Sequence, residues 1–470
     1  MTTVAVELND AGVVAAGVDL HWQDQSPGFA LLDGSRILVG REAFSRARLK
    51  PRWVANRFWD RLDTEPLGRP FPRELRNADL VHAHLTEVWK KVQGSMDSGA
   101  VAGVEAVVLT VPGMYSKRQL GLLLGIGRAC GMPIAGIADA AVVASMAATE
   151  ADRALHLDLL LQRAVVTELG RTGTLARQRV ESELSTGLSK LMDVWAKLIA
   201  SRFVQQTRFD PFHHGETEQD LYDRLPGWIE EIGRDGFALL TLEHRDKAHA
   251  AEISADDIQG AARASYQAIV TLARAIAGTG SRPALLLTQT LSKLPGFQSE
   301  LEEAVGSEAV VLAPGAAAAG ALRLQHLLAR AGDPEVDFVA AVPVESHGGR
   351  PVAAPESPTE APVAALGTKK KPPTHLLYEG VAHPIDRDPL LLGVAIPSGA
   401  KGVNLTGETA GVSRRHCSLR RQGDEVIVED HSTYGSYLNG SRIEGRAELS
   451  AGDRLRLGAP GIELHLIAVE

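Results

Sequence analysis

One segment of this 470-residue chain, residues 344–373, cannot form a packed core. After Val344 it reads ESHGGRPVAAPESPTEAPVAALGTKKKPP, with few large apolar side chains, so burial could not offset the entropy lost on ordering it. Its prolines favour extended conformations. The sequence therefore predicts an interdomain linker at 344–373, between one domain at 1–343 and a second at 374–470.

Composition and charge limit the possible partners and compartments. The net charge of −9 disfavours nonspecific nucleic-acid binding, which needs a basic surface. The two cysteines, Cys130 and Cys417, lie far apart, which favours a reducing compartment without disulfides. The N-terminus lacks the features of a signal peptide, and the most apolar region, 120–148, contains Arg128 and Asp139. We expect a cytoplasmic protein with no nucleic-acid or membrane partner.

Strand and helix patterns alternate before the linker. Apolar runs at Thr3–Leu8, Ala106–Thr110 and Leu155–Leu161 predict strands, whereas apolar spacing predicts helices at Lys117–Cys130 and Arg177–Arg202. Such alternation is typical of an α/β domain with a mixed sheet and helices on both faces.

The pattern changes to short strands after the linker, with turns at Gly423-Asp424, Asn439-Gly440 and Gly452-Asp453. This punctuation is typical of an all-β sandwich. The predicted strands are Pro389–Leu392, His416–Arg420, Glu425–Glu429, Ser436–Leu438, Arg454–Leu457 and Ile462–Ala468.

Two loops of this second domain carry groups that can hold a phosphate. Ser413, Arg414 and Arg415 lie just before a predicted strand, and a hydroxyl beside a guanidinium suits a phosphate oxygen. The second loop contributes the hydroxyls of Ser432 and Thr433. Because loops at one end of a rigid sandwich are common recognition sites, we expect these residues to act together.

The run GVSRRHCSLRRQGDEVIVEDHSTYGSYLNGSRIEGRAELSAGDRLRLG resembles the core of forkhead-associated (FHA) domains, which recognise phosphothreonine peptides. The resemblance covers about a fifth of the chain and rests on several motifs in the same order. It implies an all-β FHA sandwich and a protein partner carrying phosphothreonine. The phosphopeptide-binding residues that it implies are Ser413, Arg414, Arg415, Ser432, Thr433 and Asn439, and the structural residues are Gly393, His416, Gly435 and Gly440.

Two positions depart from the family pattern. The phosphate-binding arginine that usually follows Gly393 is Val394, and the loop asparagine is Tyr434. Losing one charge-assisted hydrogen bond removes about 1.5–3 kcal/mol, a ten- to hundredfold loss of affinity. Arg414, Arg415 or Lys401 could supply the missing cation. The alternatives are phosphate-independent protein binding and a purely structural module.

The first domain is similar to another family. The segment VVLTVPGMYSKRQLGLLLGIGRACGMPIAGIADAAVVASM resembles the nucleotide-binding domain of seventy-kilodalton heat-shock chaperones, which are actin-like ATPases. The runs LLDGSRILVGREAFSRARLKP, LLLTQTLSKLPGFQSELEEAVG and APGAAAAGALRL resemble further parts of it. The resemblance extends from Thr3 to Leu328 and implies an actin-like fold with ribonuclease-H-like lobes.

The glycines that such ATPases use are missing. In that family, glycine-rich hairpins let backbone amides approach the phosphates. The corresponding hairpins here read ELNDA at 7–11 and DLLLQR at 158–163, and Gln289-Thr290 replaces an adenosine-side Gly-Gly. Asp10 would also oppose a triphosphate. We therefore interpret the domain as degenerate and non-catalytic, without a cofactor; Glu7 and Asp158 are either relics of a magnesium site or strand-end carboxylates facing solvent.

No other motif indicates an enzyme or a metal centre. His213 and His214 lie in a polar loop at a spacing that fits no structural zinc site. We therefore favour a non-catalytic adaptor in which the FHA module binds one partner and the actin-like body docks another protein, for example a chaperone-like one. A chaperone-like ATP-binding protein or ATPase and a filament-forming structural protein are the alternatives.

Overall fold

The computed structural model divides the chain into two compact units, residues 1–350 and 351–470. Most of the predicted linker lies outside the described residues, so its bounds stay a prediction. The described residues are 3–17, 25–97, 103–278, 282–324, 336, 338–343, 372–378, 381–397, 401–405, 412–423, 425–432, 435–438, 441–443, 445–458 and 462–467.

The N-terminal unit mixes strands and helices, as predicted. Its strands are β1 (Thr3–Glu7), β2 (Val14–Gly17), β3 (Ala30–Asp33), β4 (Arg36–Val39), β5 (Val54–Ala55), β6 (Ala106–Val111), β7 (Ile134–Asp139), β8 (Arg153–Leu159), β9 (Ala164–Arg171), β10 (Thr174–Glu183), β11 (Phe237–His244), β12 (Lys247–Ser254), β13 (Ala284–Leu287), β14 (Ala309–Val311), β15 (Phe338–Val339) and β16 (Ala341–Pro343). Its helices are α1 (Gly40–Phe44), α2 (Asn77–Asp97), α3 (Lys117–Ala129), α4 (Ala140–Ser145), α5 (Leu188–Thr207), α6 (Gly215–Asp235), α7 (Ala255–Ala277), α8 (Gln289–Ser292), α9 (Phe297–Val305) and α10 (Ala316–Arg323).

Two large sheets organise this unit. The first has the order β15-β7-β6-β1-β2, with β2 antiparallel to β1 and the other neighbours parallel. The second has the order β14-β13-β8-β9-β10-β16, in which β14, β13 and β8 are parallel and the rest antiparallel. Each sheet therefore joins an antiparallel hairpin, β1–β2 or β8–β9, to a run of parallel strands.

Small residues bring the helices between these sheets close together. Helices α4 and α10 contact each other, α10 also contacts β1 and β6, and α4 contacts β10. A Cβ on Gly320 of α10 would lie 2.1 Å from the Val143 carbonyl oxygen of α4, so only glycine permits this approach. Asp139 caps the start of helix α4, because its carboxylate accepts hydrogen bonds from the amides of the first turn.

One predicted helix is wrong in its first part. The segment expected to form a helix from Arg177 to Arg202 begins instead as the end of β10, and α5 starts only at Leu188. Strand β10 pairs with β9 after a turn at Gly173, where φ is +78°. Pairing with β9 and β16 thus overrides the local helical spacing. Among the described helices, none is both long and apolar enough to cross a bilayer.

The C-terminal unit is all-β, also as predicted, and consists of two sheets. Their orders are β18-β17-β27-β26-β23-β24 and β20-β19-β21-β22-β25. Alternate residues such as Leu392, Leu419, Val428 and Leu455 form its buried core. The strands are β17 (His375–Tyr378), β18 (Val381–Pro384), β19 (Leu390–Gly393), β20 (Gly402–Asn404), β21 (Cys417–Gln422), β22 (Glu425–Asp430), β23 (Ser436–Leu438), β24 (Ser441–Arg442), β25 (Arg446–Leu449), β26 (Arg454–Leu457) and β27 (Ile462–Ile467).

Candidate functional site

The end of β19 positions the first predicted loop of the C-terminal unit. Beyond Gly393, the amide of Val394 donates to the Ser413 carbonyl at 3.2 Å, and the Ala395 amide donates to the Arg414 carbonyl at 3.1 Å. A Cβ on Gly393 would lie 2.2 Å from that Arg414 oxygen. Glycine is therefore required for the loop to come this close to the strand.

His416 connects the two predicted loops. Its ring is buried, and its Nδ1 accepts a hydrogen bond from the Ser413 amide at 3.0 Å. Its Nε2 lies 3.2 Å from the Gly435 carbonyl oxygen, to which it donates when Nδ1 is the acceptor. Burial lowers the pKa of His416, which favours this neutral form. The imidazole thus holds both loops at one end of the unit.

Asp430 organises the second loop from the end of β22. Its carboxylate accepts hydrogen bonds from the Ser432 amide at 3.1 Å and from the Ser436 hydroxyl at 2.9 Å. Burial opposes ionisation of Asp430, but its hydrogen bonds with Ser432 and Ser436 outweigh burial and lower its pKa. The Ser432 Oγ in turn accepts from the Gly435 amide at 2.7 Å. This hydroxyl oxygen therefore supports the loop itself, and its predicted contact with phosphate stays a prediction.

Exposed cations surround these loops. Arg414 and Arg415 are exposed, and within the described residues their guanidinium groups form no ion pair or hydrogen bond. Arg442, which the sequence reasoning missed, lies so close to Gly435 that a Cβ there would be 2.9 Å from its Nε. The turn predicted at Asn439-Gly440 was the available signal, because a two-residue hairpin turn there predicts pairing of Arg442 with Tyr437, which the structure shows. The remaining predicted site residues, Thr433, Asn439 and Gly440, and Tyr434 lie outside the described residues.

Lys401 is already engaged. Its Nζ lies 2.6 Å from Asp386 Oδ2, and this interaction lowers the pKa of Asp386. Arg414 and Arg415, the other two cations named as possible replacements for the missing arginine, form no ion pair with another described residue.

The tips of the β1–β2 and β8–β9 hairpins bind each other in the N-terminal unit. Asn9 Nδ2 donates to both carboxylate oxygens of Asp158, at 3.0 and 3.2 Å. The Leu161 amide donates to Asp10 Oδ1 at 2.7 Å, and Leu160 and Leu161 are buried. Asp10 is only 6% exposed, and its carboxylate points toward the other hairpin. The Asn9 side-chain amide and the Leu161 backbone amide at these hairpin tips therefore donate to carboxylates of the protein itself.

Asp158 does not face solvent, contrary to one of the two interpretations of its sequence position, and Glu7 is partly buried. Asp158 is 8% exposed, and Glu7 is partly buried with its Oε2 accepting from the Ala318 amide of α10 at 3.2 Å. Burial raises the pKa of Glu7 to about 7, and the neighbouring Asp158 adds to this effect. Burial also raises the pKa of Asp158 to about 6. Both carboxylates line a cavity of about 410 Å³.

His213 and His214, singled out in the sequence, pack against aromatic rings. His214 stacks on His244 with 4.7 Å between ring centroids, and His213 contacts His214 edge-on at 4.7 Å. Nearby, His249 stacks on Phe209 at 4.2 Å. Across the described residues, no group of three or more His, Cys, Asp or Glu side chains could hold a metal ion.

Comparison with protein families identifies one module. Residues 400–458 match the FHA domain, so the two loops that His416 connects belong to an FHA domain. This match contains Ser413 and Gly435 but not Gly393. An FHA domain is a non-catalytic interaction module that binds protein partners, often through phosphothreonine. No curated protein matches the chain.

Proposed function

We propose that this protein is a non-catalytic adaptor whose FHA domain binds a partner carrying phosphothreonine, or another FHA-compatible partner, while its N-terminal unit docks a second protein. The observation that carries this proposal is the pair of exposed guanidinium groups beside Ser413. Exposed cations that have no ion-pair partner among the described residues, next to a hydroxyl in a loop of a rigid sandwich, suit a phosphate group. Arg442, which lies close to Gly435 of the second loop, supports a third positive charge beside the proposed phosphate site.

Replacing Arg414 by alanine is expected to weaken binding of a phosphothreonine peptide about 10- to 100-fold, because a charge-assisted hydrogen bond is worth about 1.5–3 kcal/mol. The peptide comes from a phosphothreonine library screened on the 470-residue protein, and fluorescence anisotropy gives its Kd for each variant. Ser413→Ala and Arg415→Ala test the neighbouring groups in the same assay.

Arg387→Ala is the matched control. Arg387 is exposed and precedes β19, whose other end carries Gly393, so its loss should leave the Kd unchanged. Equal binding of the unphosphorylated peptide would favour phosphate-independent recognition. An unchanged Kd in Arg414→Ala, Arg415→Ala and Ser413→Ala would contradict the proposed site.

The proposal for the N-terminal unit rests on its topology and its hairpins. Two sheets that each join an antiparallel hairpin to parallel strands support an actin-like body. The hydrogen bonds from Asn9 to Asp158 and from Leu161 to Asp10 support a site that no longer wraps a triphosphate. An actin-like body without a working nucleotide site would serve as a docking platform, and a chaperone-like protein is one candidate partner.

A divergent ATP-binding chaperone is the second candidate function. One observation favours it: Glu7 and Asp158, the candidate magnesium relics, still line a cavity. Isothermal titration calorimetry with ATP and Mg²⁺ separates the two functions, because we expect no heat at micromolar nucleotide. Micromolar binding that is lost in Asp158→Asn would replace the adaptor proposal with this alternative.

A further inference from the structure

The cavity of the N-terminal unit has an acidic end and walls of small apolar residues. Glu7, Asp158 and His156 lie at one part of its lining, and alanines make up much of the rest. No lysine or arginine lines it within the part of the chain that the structure describes. Its volume of about 410 Å³ is sufficient for a small organic molecule.

Strand β8 directs two polar side chains toward this cavity. Leu155, Leu157 and Leu159 pack into the core, so the alternate residues His156 and Asp158 share the opposite face. His156 is only 4% exposed, and its ring forms a hydrogen bond with its own backbone. Burial lowers the pKa of His156 to about 4, so the ring is neutral at pH 7.

The same surroundings disfavour an anion and a single metal ion. The Glu7 carboxylate already accepts the Ala318 amide near the start of α10, where a phosphate would otherwise find donors. Asn9 donates to Asp158, and Asp10 occupies the Leu161 amide. As for metals, the described residues contain no cluster of three or more suitable ligands. The ligand class that still suits two carboxylates is an organic cation, because it carries its own hydrogen-bond donors.

A second space of about 170 Å³, lined mainly by apolar residues and also by Glu230 and Lys293, adjoins the cavity. Gln25, Gln289 and Thr290 line both spaces, so the two are neighbours. Trp195 and Ile229 are among the apolar residues that line the second space. A ligand with an alkyl or aromatic body could therefore extend from the acidic end toward an apolar end.

We infer that this cavity binds a small organic cation, an amine whose ammonium group lies between Glu7 and Asp158 and donates to them and to His156, while its apolar body follows the alanine walls. The inference is independent of the phosphopeptide proposal, because it concerns a different unit and different chemistry. The ligand proposed for the cavity is thus an amine and not a nucleotide.

The test compares three probes of equal chain length and different charge: n-hexylamine, hexan-1-ol and hexanoate. Ligand-observed NMR titration of the 470-residue protein at about pH 7.5 gives each Kd. We expect the amine to bind with a Kd of about 1 mM or tighter, and the alcohol and the carboxylate to bind at least about tenfold more weakly. Glu7→Gln and Asp158→Asn should each weaken amine binding at least about tenfold.

Asp256→Asn, at an exposed position in the first turn of α7, is the matched control and should not change amine binding. Tryptophan fluorescence on heating shows whether each variant is folded, since all six tryptophans lie before residue 229. If one variant fails to fold, the probe series on the unmodified protein and the other variant decide the question. Equal binding of hexan-1-ol or hexanoate, or tighter binding of Mg²⁺ alone or of ATP with Mg²⁺, would overturn the inference.

Discussion

Replacing Gly393 by alanine is expected to destabilise the FHA-containing unit by at least about 3 kcal/mol, because the new Cβ would overlap the backbone of the neighbouring loop. That atom would lie 2.2 Å from the Arg414 carbonyl oxygen and 2.9 Å from the Ser413 oxygen. Backbone atoms cannot move aside like the end of a flexible side chain, so either β19 or the 413–416 loop must shift. Phosphopeptide binding should be lost with the loop geometry.

Amide hydrogen exchange, read by mass spectrometry, measures this effect within the C-terminal unit. Tryptophan fluorescence cannot, because residues 351–470 contain no tryptophan. A loss of about 3 kcal/mol corresponds to a more than hundredfold rise in the opening equilibrium of peptides from β19 and β21.

Gly423→Ala is the control for this glycine. Gly423 has a φ of +64°, but no neighbouring atom lies within 4 Å of the place that a Cβ would take. Its substitution should therefore cost only the strain of a left-handed residue, about 1–2 kcal/mol. If Gly393→Ala is no more destabilising than Gly423→Ala, the close approach of the 413–416 loop is not the reason why glycine is needed at position 393.

Asp10→Asn is expected to stabilise the N-terminal unit at pH 8 but not at pH 5. Burial raises the pKa of Asp10 to about 7, and the Leu161 amide only partly offsets this effect. Between the unfolded pKa near 4 and the folded value, the folded state binds more protons than the unfolded state, so stability falls as pH rises. Asparagine removes this dependence and still offers an oxygen to the Leu161 amide.

The gain in unfolding free energy relative to the unmodified protein should grow by on the order of 2–4 kcal/mol between pH 5 and pH 8. Urea unfolding followed by tryptophan fluorescence reports this unit, because every tryptophan lies in it. Asp256→Asn, an exposed carboxylate of α7, should show no such growth. A pH-independent difference for Asp10→Asn would mean that Asp10 is already ionised at pH 5.

Local sequence patterns were sufficient to predict the strands and helices in which the spacing of apolar residues matches the buried face. The predicted strands at Ser436–Leu438 and Arg454–Leu457 have the observed bounds, and the predicted helix beginning at Lys117 begins there because Ser116 and Gln119 form a capping box. The β11–β12 hairpin gave no such signal. Its turn uses Arg245 and Asp246 with φ of 49° and 59°, positions where glycine or asparagine is the usual marker.

By itself, the sequence determined the two-part division into an α/β body and an all-β module, and it indicated the FHA motif, because alternation, turns and spaced motifs are local properties of the chain. The tertiary structure alone decided which residues meet: Asp10 with the Leu161 amide, Asn9 with Asp158, and Arg442 with Gly435. Asp10 and Leu161 are far apart in sequence, and their pairing depends on how two hairpins from different sheets face each other, which no local pattern encodes.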